Sequence, residues 1–264
     1  MRRRFMVLRG GEIPDNEIWY TSTDGSVITP YYKDNFGSAT IQSNTYTNGK
    51  GVITFSRNVT KVGDYVFYIS GNLSSIILPN SVTSIGNGAF SGCSSLAEII
   101  IPNSVTSIGN DAFYSCKNLS TITIPNSVTE IGSRAFSSCK SLVEITIPNS
   151  VTSIGSSAFY GCENLSTITI PNSVTSIGSS AFRVCPKLTS ITIPNGVTEI
   201  GSRAFQQCYA LTSVICKPTT PPTGGSYMFE GIRSNAIIYV PAGSGNAYKT
   251  AQYWSDYADM IVEQ

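Results

Sequence analysis

The sequence contains no histidine. That gap alone removes Ser-His-Asp and Cys-His catalysis, histidine-ligated zinc and the usual proton shuttle near neutral pH. Charge is scarce too. Charged residues make up 12% of the chain, about half the roughly 25% common in soluble domains. The 17 basic and 16 acidic side chains nearly cancel, for a net charge of +1. With no basic stripe to neutralise phosphates, a nucleic-acid partner has no support. No apolar run approaches the roughly 18 residues needed to cross a membrane. Near the start, Phe5 to Leu8 follows three arginines but is too short for the apolar core of a signal peptide. Met1 to Gly11 is therefore read as a leader that adds nothing to the fold. Two compartments stay open: the cytosol, or the cell exterior reached by an export signal not visible in this chain.

What the sequence has instead is a period. Cysteines stand at 93, 116, 139, 162, 185 and 208, each 23 residues after the last. Phe90, Phe113, Phe136, Phe159, Phe182 and Phe205 precede them by three, and Leu96, Leu119, Leu142, Leu165, Leu188 and Leu211 follow by three. A fixed period of this length marks a solenoid, in which each unit buries its apolar side only against its neighbours. The unit is L-x-x-I-x-I-P-N-S-V-T-x-I-G-x-x-A-F-x-x-C-x-x, with six complete copies from Leu73 to Ala210.

Each segment has a physical reading. The alternation in L-x-x-I-x-I predicts a short strand with one face buried. Proline, which has no N–H for a ladder, ends it, and Pro-Asn-Ser suits a type I turn with proline second. V-x-x-I followed by A-F-x-x-C predicts an irregular return and about one helical turn, with Ile, Ala and Cys on one face. The glycine after that isoleucine (Gly86, Gly109, Gly132 and successors) is expected to hold a backbone angle costly for other residues.

The template is a 23-residue form of the leucine-rich repeat, and IPNSVTSIGSSAF resembles the BspA-like repeats of bacterial surface proteins. NEIWYTSTDG and IIYVPAGSGNAYKTAQYWSDYAD resemble segments that border such repeats. The resemblance implies an extracytoplasmic protein built for adhesion or protein binding, with no catalytic residues to carry over. The expected fold is an α/β solenoid: a right-handed leucine-rich-repeat superhelix with short parallel strands on one face, a β-rich N-terminal cap and a helical C-terminal cap.

After the leader (1–11), residues 12–50 read as a small β cap or subdomain. Asp24-Gly25 offers it a hairpin turn. The solenoid spans 51–235, with degenerate rungs at both ends of the full repeats at 73–210. Residues 236–264 supply a last strand and, from Ser244 to Ile261, a helix that closes the free apolar end.

The cysteine column reads as buried reduced thiols acting as small hydrophobes. Disulfides between neighbouring rungs are the alternative. A metal site lacks both a C-x-x-C pair and histidine. Glu130 with Arg134, and Glu199 with Arg203, have the spacing of weak surface ion pairs. Trp19, Tyr20, Tyr31 and Tyr32 are either core of the cap or a binding patch on it. No cofactor, metal or catalytic residue is expected. The candidate partner-binding face is the outward side of the strands, which in leucine-rich-repeat proteins commonly contacts partners: Glu98, Ile100, Thr121, Thr123, Glu144, Thr146, Thr167, Thr169, Ser190 and Thr192. These columns are weakly charged and rich in hydroxyls, and no aromatic or arginine anchor stands in them. The expected function is a monomeric, noncatalytic protein-binding module, used in adhesion to extracellular-matrix or host cell-surface proteins. The alternative is a structural spacer that displays its N-terminal unit and binds nothing along the repeats.

Overall fold

The computed structural model describes residues 13–264, so the leader reading for Met1 to Gly11 lies outside the described residues. The chain winds as a parallel-strand solenoid of about nine turns with little helix. A single apolar cluster runs through its axis from Ile18 to Ile261.

Every rung has three hydrogen-bonded sides. On the first side the predicted alternation holds: in Glu144–Thr146 and Thr167–Thr169 the central isoleucine is buried and its neighbours are exposed. These strands pair in parallel, in register across one repeat. The proline then ends the strand, but the turn sits one residue later than expected. The Val151 N–H donates to the Pro148 carbonyl at 3.0 Å, which makes proline the first residue of the turn and Asn149-Ser150 its centre.

The second side corrects the irregular return. Pairs such as Ser84–Ile85, Ser107–Ile108 and Ser153–Ile154 are two-residue strands in one eight-stranded parallel ladder, from Lys61–Val62 to Thr223–Gly224. Repeated hydroxyls complete it: Ser104, Ser150 and Ser173 donate to the carbonyls of Val82, Val128 and Val151 at 2.5 to 2.7 Å. The same ladder explains the glycine column. Gly109, Gly132, Gly155 and Gly178 do not have left-handed backbones. A Cβ at Gly178 would instead lie 2.6 Å from the Ser156 nitrogen and 2.7 Å from the Gly155 carbonyl carbon. The column is glycine because successive rungs touch backbone to backbone.

The third side replaces the predicted helical turn. Residues two before and two after each phenylalanine have positive φ, as at Ser157 (56°), Gly161 (67°), Ser180 (58°) and Val184 (59°). Left-handed residues alternate with others, so every second N–H points toward the C-terminal end of the solenoid, while those between donate within the rung, as Tyr114 does to the Asp111 carbonyl at 3.0 Å. Phe113, Phe136 and Phe159 donate to Ala135, Ala158 and Ala181 carbonyls at 2.8 Å. The arc is thus a third ladder, made without strands. The price is strain: a left-handed L-residue costs about 1–2 kcal/mol, and a β-branched one is a true outlier. Val184→Gly, which copies Gly161 one rung earlier, is expected to raise the unfolding free energy by about 0.5–1 kcal/mol net of glycine's chain entropy. Urea melts check this, and a destabilised variant would refute the strain argument.

Inside, eight phenylalanines from Phe67 to Phe229 stack with ring centroids 5.3 to 5.5 Å apart and planes within 9°. Phe36 meets one end edge-on, and Trp254 and Tyr257 meet the other. All seven cysteines are buried free thiols, so no bridges link neighbouring rungs. Each repeat thiol donates to a phenylalanine carbonyl of the preceding rung, as Cys139 does to Phe113 at 3.2 Å and Cys162 to Phe136 at 3.3 Å. Burial pushes the Cys93, Cys139 and Cys216 thiols up to about 12 and those of Cys116, Cys162 and Cys185 well above their ordinary value. The thiolate that oxidation requires is therefore disfavoured at these six thiols.

Both ends are closed. At the N-terminal end, β1 (Glu17–Ser22), β2 (Ile41–Thr47) and β3 (Lys50–Phe55) form antiparallel pairs. The hairpin joins β2 to β3 at Asn48-Gly49, whose φ values of 51° and 83° suit its turn. Asp24-Gly25 is a bend and not the hairpin; the Asp24 carboxylate accepts hydrogen bonds from Ser26 and from Asn72, just before the first full repeat. The arc carbonyls of Val66 and Asp64 are capped by the Tyr31 N–H and the Asn35 amide. At the C-terminal end the closing element is helical only over Gly245–Thr250 and Ser255–Met260, and Ile261–Glu263 pairs as a strand with Ile237–Val240. There the Tyr257 hydroxyl accepts the Phe229 N–H at 3.1 Å.

Candidate functional site

The outward strand positions form two columns, because each pleat sends alternate side chains away from the core. Glu98, Ile100, Thr121, Thr123, Glu144, Thr146, Thr167, Thr169, Ser190 and Thr192 are all exposed. Between them Ile99, Ile122, Ile145, Ile168 and Ile191 are buried. Strand pairing brings neighbours together in register: Ser75 beside Glu98, Glu144 beside Thr167, and Thr123 beside Thr146 beside Thr169. Pairing is interrupted between Glu98–Ile100 and Thr121–Thr123, and again between Thr167–Thr169 and Ser190–Ile193.

The sequence reading left Trp19 between cap core and binding patch and did not place it on the strand face. β1 inserts between β3 and Leu73–Ile77, antiparallel to both. With Ile18 and Tyr20 buried, Trp19 lies on the outer face, between Val52 and Ile77 in register. An aromatic anchor therefore stands in the column: Val52, Trp19, Ile77 and Ile100 form an apolar block, with Ile100 53% exposed. Lys50 Nζ sits 3.0 Å from the Trp19 ring centroid, and the indole N–H donates to Glu17 at 2.6 Å. At the other end Ile215, Tyr239 and Val262 succeed Thr192 in register. The face thus runs apolar, hydroxyl, apolar.

Of the four cap aromatics, Tyr20 is core: its hydroxyl donates to Asn44 at 2.8 Å, and its ring fills the space a Cβ at Gly51 would need. Tyr31 and Tyr32 are exposed. The ion pair expected for Glu130 and Arg134 is not formed. Arg134 instead meets Asp111 of the preceding rung at 3.0 Å and lies over the Tyr114 ring, and Arg203 lies over Tyr227. Four-residue spacing shares a face only in a helix, and the arc is not one. Among the described residues no group of three His, Cys, Asp or Glu side chains is placed to hold a metal ion, and no helix is long and apolar enough to cross a membrane. Chemically, the strand face offers hydroxyl donors and acceptors, two carboxylates and apolar anchors. It can make contacts over an area.

The model of the family described as the BspA type leucine rich repeat region matches residues 37–143 and 129–251. Among solved structures the fold is similar to a leucine-rich repeat protein from Bacteroides ovatus, with a TM-score of 0.64 and 30% identity over 74% of this chain and 51% of that one. It is also similar to the leucine rich repeat protein of T. pallidum (TM-score 0.57, 37% identity, 59% of this chain and 73% of that one). A third similar structure is a leucine-rich repeat protein from Eubacterium ventriosum (TM-score 0.57, 27% identity, 66% and 47%). The chain thus spans about half the length of the Bacteroides ovatus protein. A search of curated proteins returned no match.

Proposed function

Because this chain belongs to the BspA type leucine-rich-repeat family, whose repeats mediate protein interaction, we propose that it is a noncatalytic binding module that grips a protein partner along its outer strand face. The observation that carries this reading is the row Val52, Trp19, Ile77 and Ile100, which puts a tryptophan anchor beside the hydroxyl-rich strip Thr123 to Thr192. Interface energy concentrates in such aromatic anchors, with near-neutral contacts around them. Weak charge means that affinity comes from area and shape and changes little with salt. The partner we propose is an extracellular-matrix or cell-surface protein of a host or a neighbouring cell, met at the bacterial surface. The chain acts there as a monomer.

Capture of the chain on immobilised extracellular-matrix proteins tests the reading. Trp19→Ala with Ile100→Lys is expected to weaken capture at least about thirtyfold, roughly 2 kcal/mol, and lysines at Thr121, Thr123, Thr167 and Thr169 are expected to abolish it. Thermal melts of both variants stay near the parent, since all the altered side chains but Trp19 are exposed. Undiminished capture by both would reject the face as the binding surface and favour a spacer.

A further inference from the structure

A second surface lies on the opposite side of the first rung. Tyr31 and Tyr32 meet edge to face at 4.9 Å, Tyr31 meets Tyr68 at 5.7 Å, and Tyr65 meets Tyr68 at 5.7 Å. Four tyrosines from two segments thus form one cluster. Tyr31 is 61% exposed, Tyr32 51% and Tyr65 41%, and Ile69 beside them is 61% exposed. Loop and rung are stitched together: Tyr31 N–H donates to the Val66 carbonyl at 2.7 Å and Asn35 to the Asp64 carbonyl at 3.2 Å.

Folding does not explain this cluster. Tyr65 and Ile69 hold the two left-handed positions of their rung, both with φ of 55°. Other rungs put Gly88 and Gly92, or Ser157 and Gly161, at those places. The first rung accepts backbone strain at a β-branched residue and leaves the apolar side chain in water. The next rung makes room for both, since a Cβ at Gly88 would collide with the Tyr65 ring and one at Gly92 would crowd Ile69. What sets the first rung apart is the company Tyr65 keeps: with Tyr68, Tyr31 and Tyr32 it forms an exposed aromatic cluster that the core does not use.

Next to Tyr65, whose N–H donates to the Asn87 carbonyl at 2.8 Å, lies a polar groove of about 330 Å³, lined by Asn35, Lys61, Asp64, Ser84, Asn87 and Ser107. Its floor is bare backbone at Gly63, Gly86 and Gly109. Asp64 precedes Tyr65, and the Tyr65 ring rests on Gly88 beside Asn87, so one ring of the cluster adjoins the groove and the others follow it through Tyr68. The groove holds one ammonium and one carboxylate, which cancel, among amides and hydroxyls that both donate and accept. A ligand that fits carries no net charge, many hydroxyls and C–H faces that lie flat on aromatic rings. Anions would meet Asp64, and an apolar peptide side chain would find no dry pocket.

We propose that this groove and its tyrosine rim form a binding site for a neutral oligosaccharide, separate from the strand face. The site stands independently of the protein-binding reading, because none of its residues lies on that face.

The test is titration of the intact chain with cellotetraose, mannotriose and chitotriose, followed by amide chemical shifts. At least one sugar is expected to give saturable shifts centred on Tyr32, Asp64 and Asn87. Tyr32→Ala and Tyr65→Ala are each expected to weaken binding about tenfold. Tyr65→Phe should keep most of the affinity, and Trp19→Ala should leave it unchanged. The Tyr32→Ala melt should match the parent, since that ring is exposed. No saturable shift with any of the three sugars would overturn the proposal. So would sugar binding that survives both alanine variants, or a rim that captures a protein and no sugar.

Discussion

Phe159→Ala is expected to lower the unfolding free energy by about 3–5 kcal/mol. The ring is fully buried and stacks on Phe136 at 5.5 Å and on Phe182 at 5.3 Å. Removing it opens a cavity at mid-column that neither neighbour can fill. Both are held by their own rungs, with backbone N–H groups donated to Ala158 and Ala204 at 2.8 Å. A solenoid sums rung stabilities and neighbour interfaces, so a break at mid-column weakens two interfaces at once. The midpoint in urea should fall accordingly, and the melting temperature should drop by on the order of 10 °C. A loss below about 1 kcal/mol, the range of surface changes, would show that the column is not core.

Why the column was legible from sequence is plain. Each rung lies on a copy of itself, so an apolar side chain that fits once must fit again 23 residues later, and apolar identity along the period reads directly as burial. Phe90 to Phe205 and the inward-facing isoleucines of the strands, Ile99 to Ile191, follow that rule. The outward columns were legible too, because strict alternation around Ile145 or Ile168 leaves Thr146 and Thr169 only one direction to point.

What the sequence hid depends on contacts or angles that leave no local pattern. The second ladder is built of two-residue strands, too short to alternate. The arc ladder rests on alternating backbone handedness, which Ser, Asp, Arg and Val adopt at Ser115, Asp111, Arg134 and Val184 with no residue signature in common. An Ala-Phe-x-x-Cys spacing therefore reads as a helical turn although the hydrogen bonds run between rungs. The insertion of β1 is non-local: Thr21 meets Ser75, 54 residues along the chain, through their hydroxyls. No window around Trp19 contains that partner, so its place on the strand face became visible only in the fold.

The division that results is between repeated letters that stack and outward strand letters that vary from rung to rung. Repeated letters close three ladders and fill the core. Trp19, Ile100 and the threonine strip lie outside the core, and they are the surface we propose for binding. This division holds only if repetition is enforced by contact between rungs rather than by local backbone preference, and at the glycine column the two causes predict opposite signs. Gly155 lacks the left-handed φ that bars other residues. If local backbone preference were the whole story, Gly155→Ala would stabilise the chain by about 0.4–1 kcal/mol through lost unfolded-state freedom. A Cβ there, however, would lie 2.6 Å from the Ser133 nitrogen, 2.7 Å from the Gly132 carbonyl carbon and 2.8 Å from the Ile131 oxygen. All three are backbone atoms bound into the ladder and cannot yield without separating the rungs. The unfolding free energy of Gly155→Ala, measured in urea, is predicted to fall by at least about 3 kcal/mol; an unchanged or raised value would contradict the account.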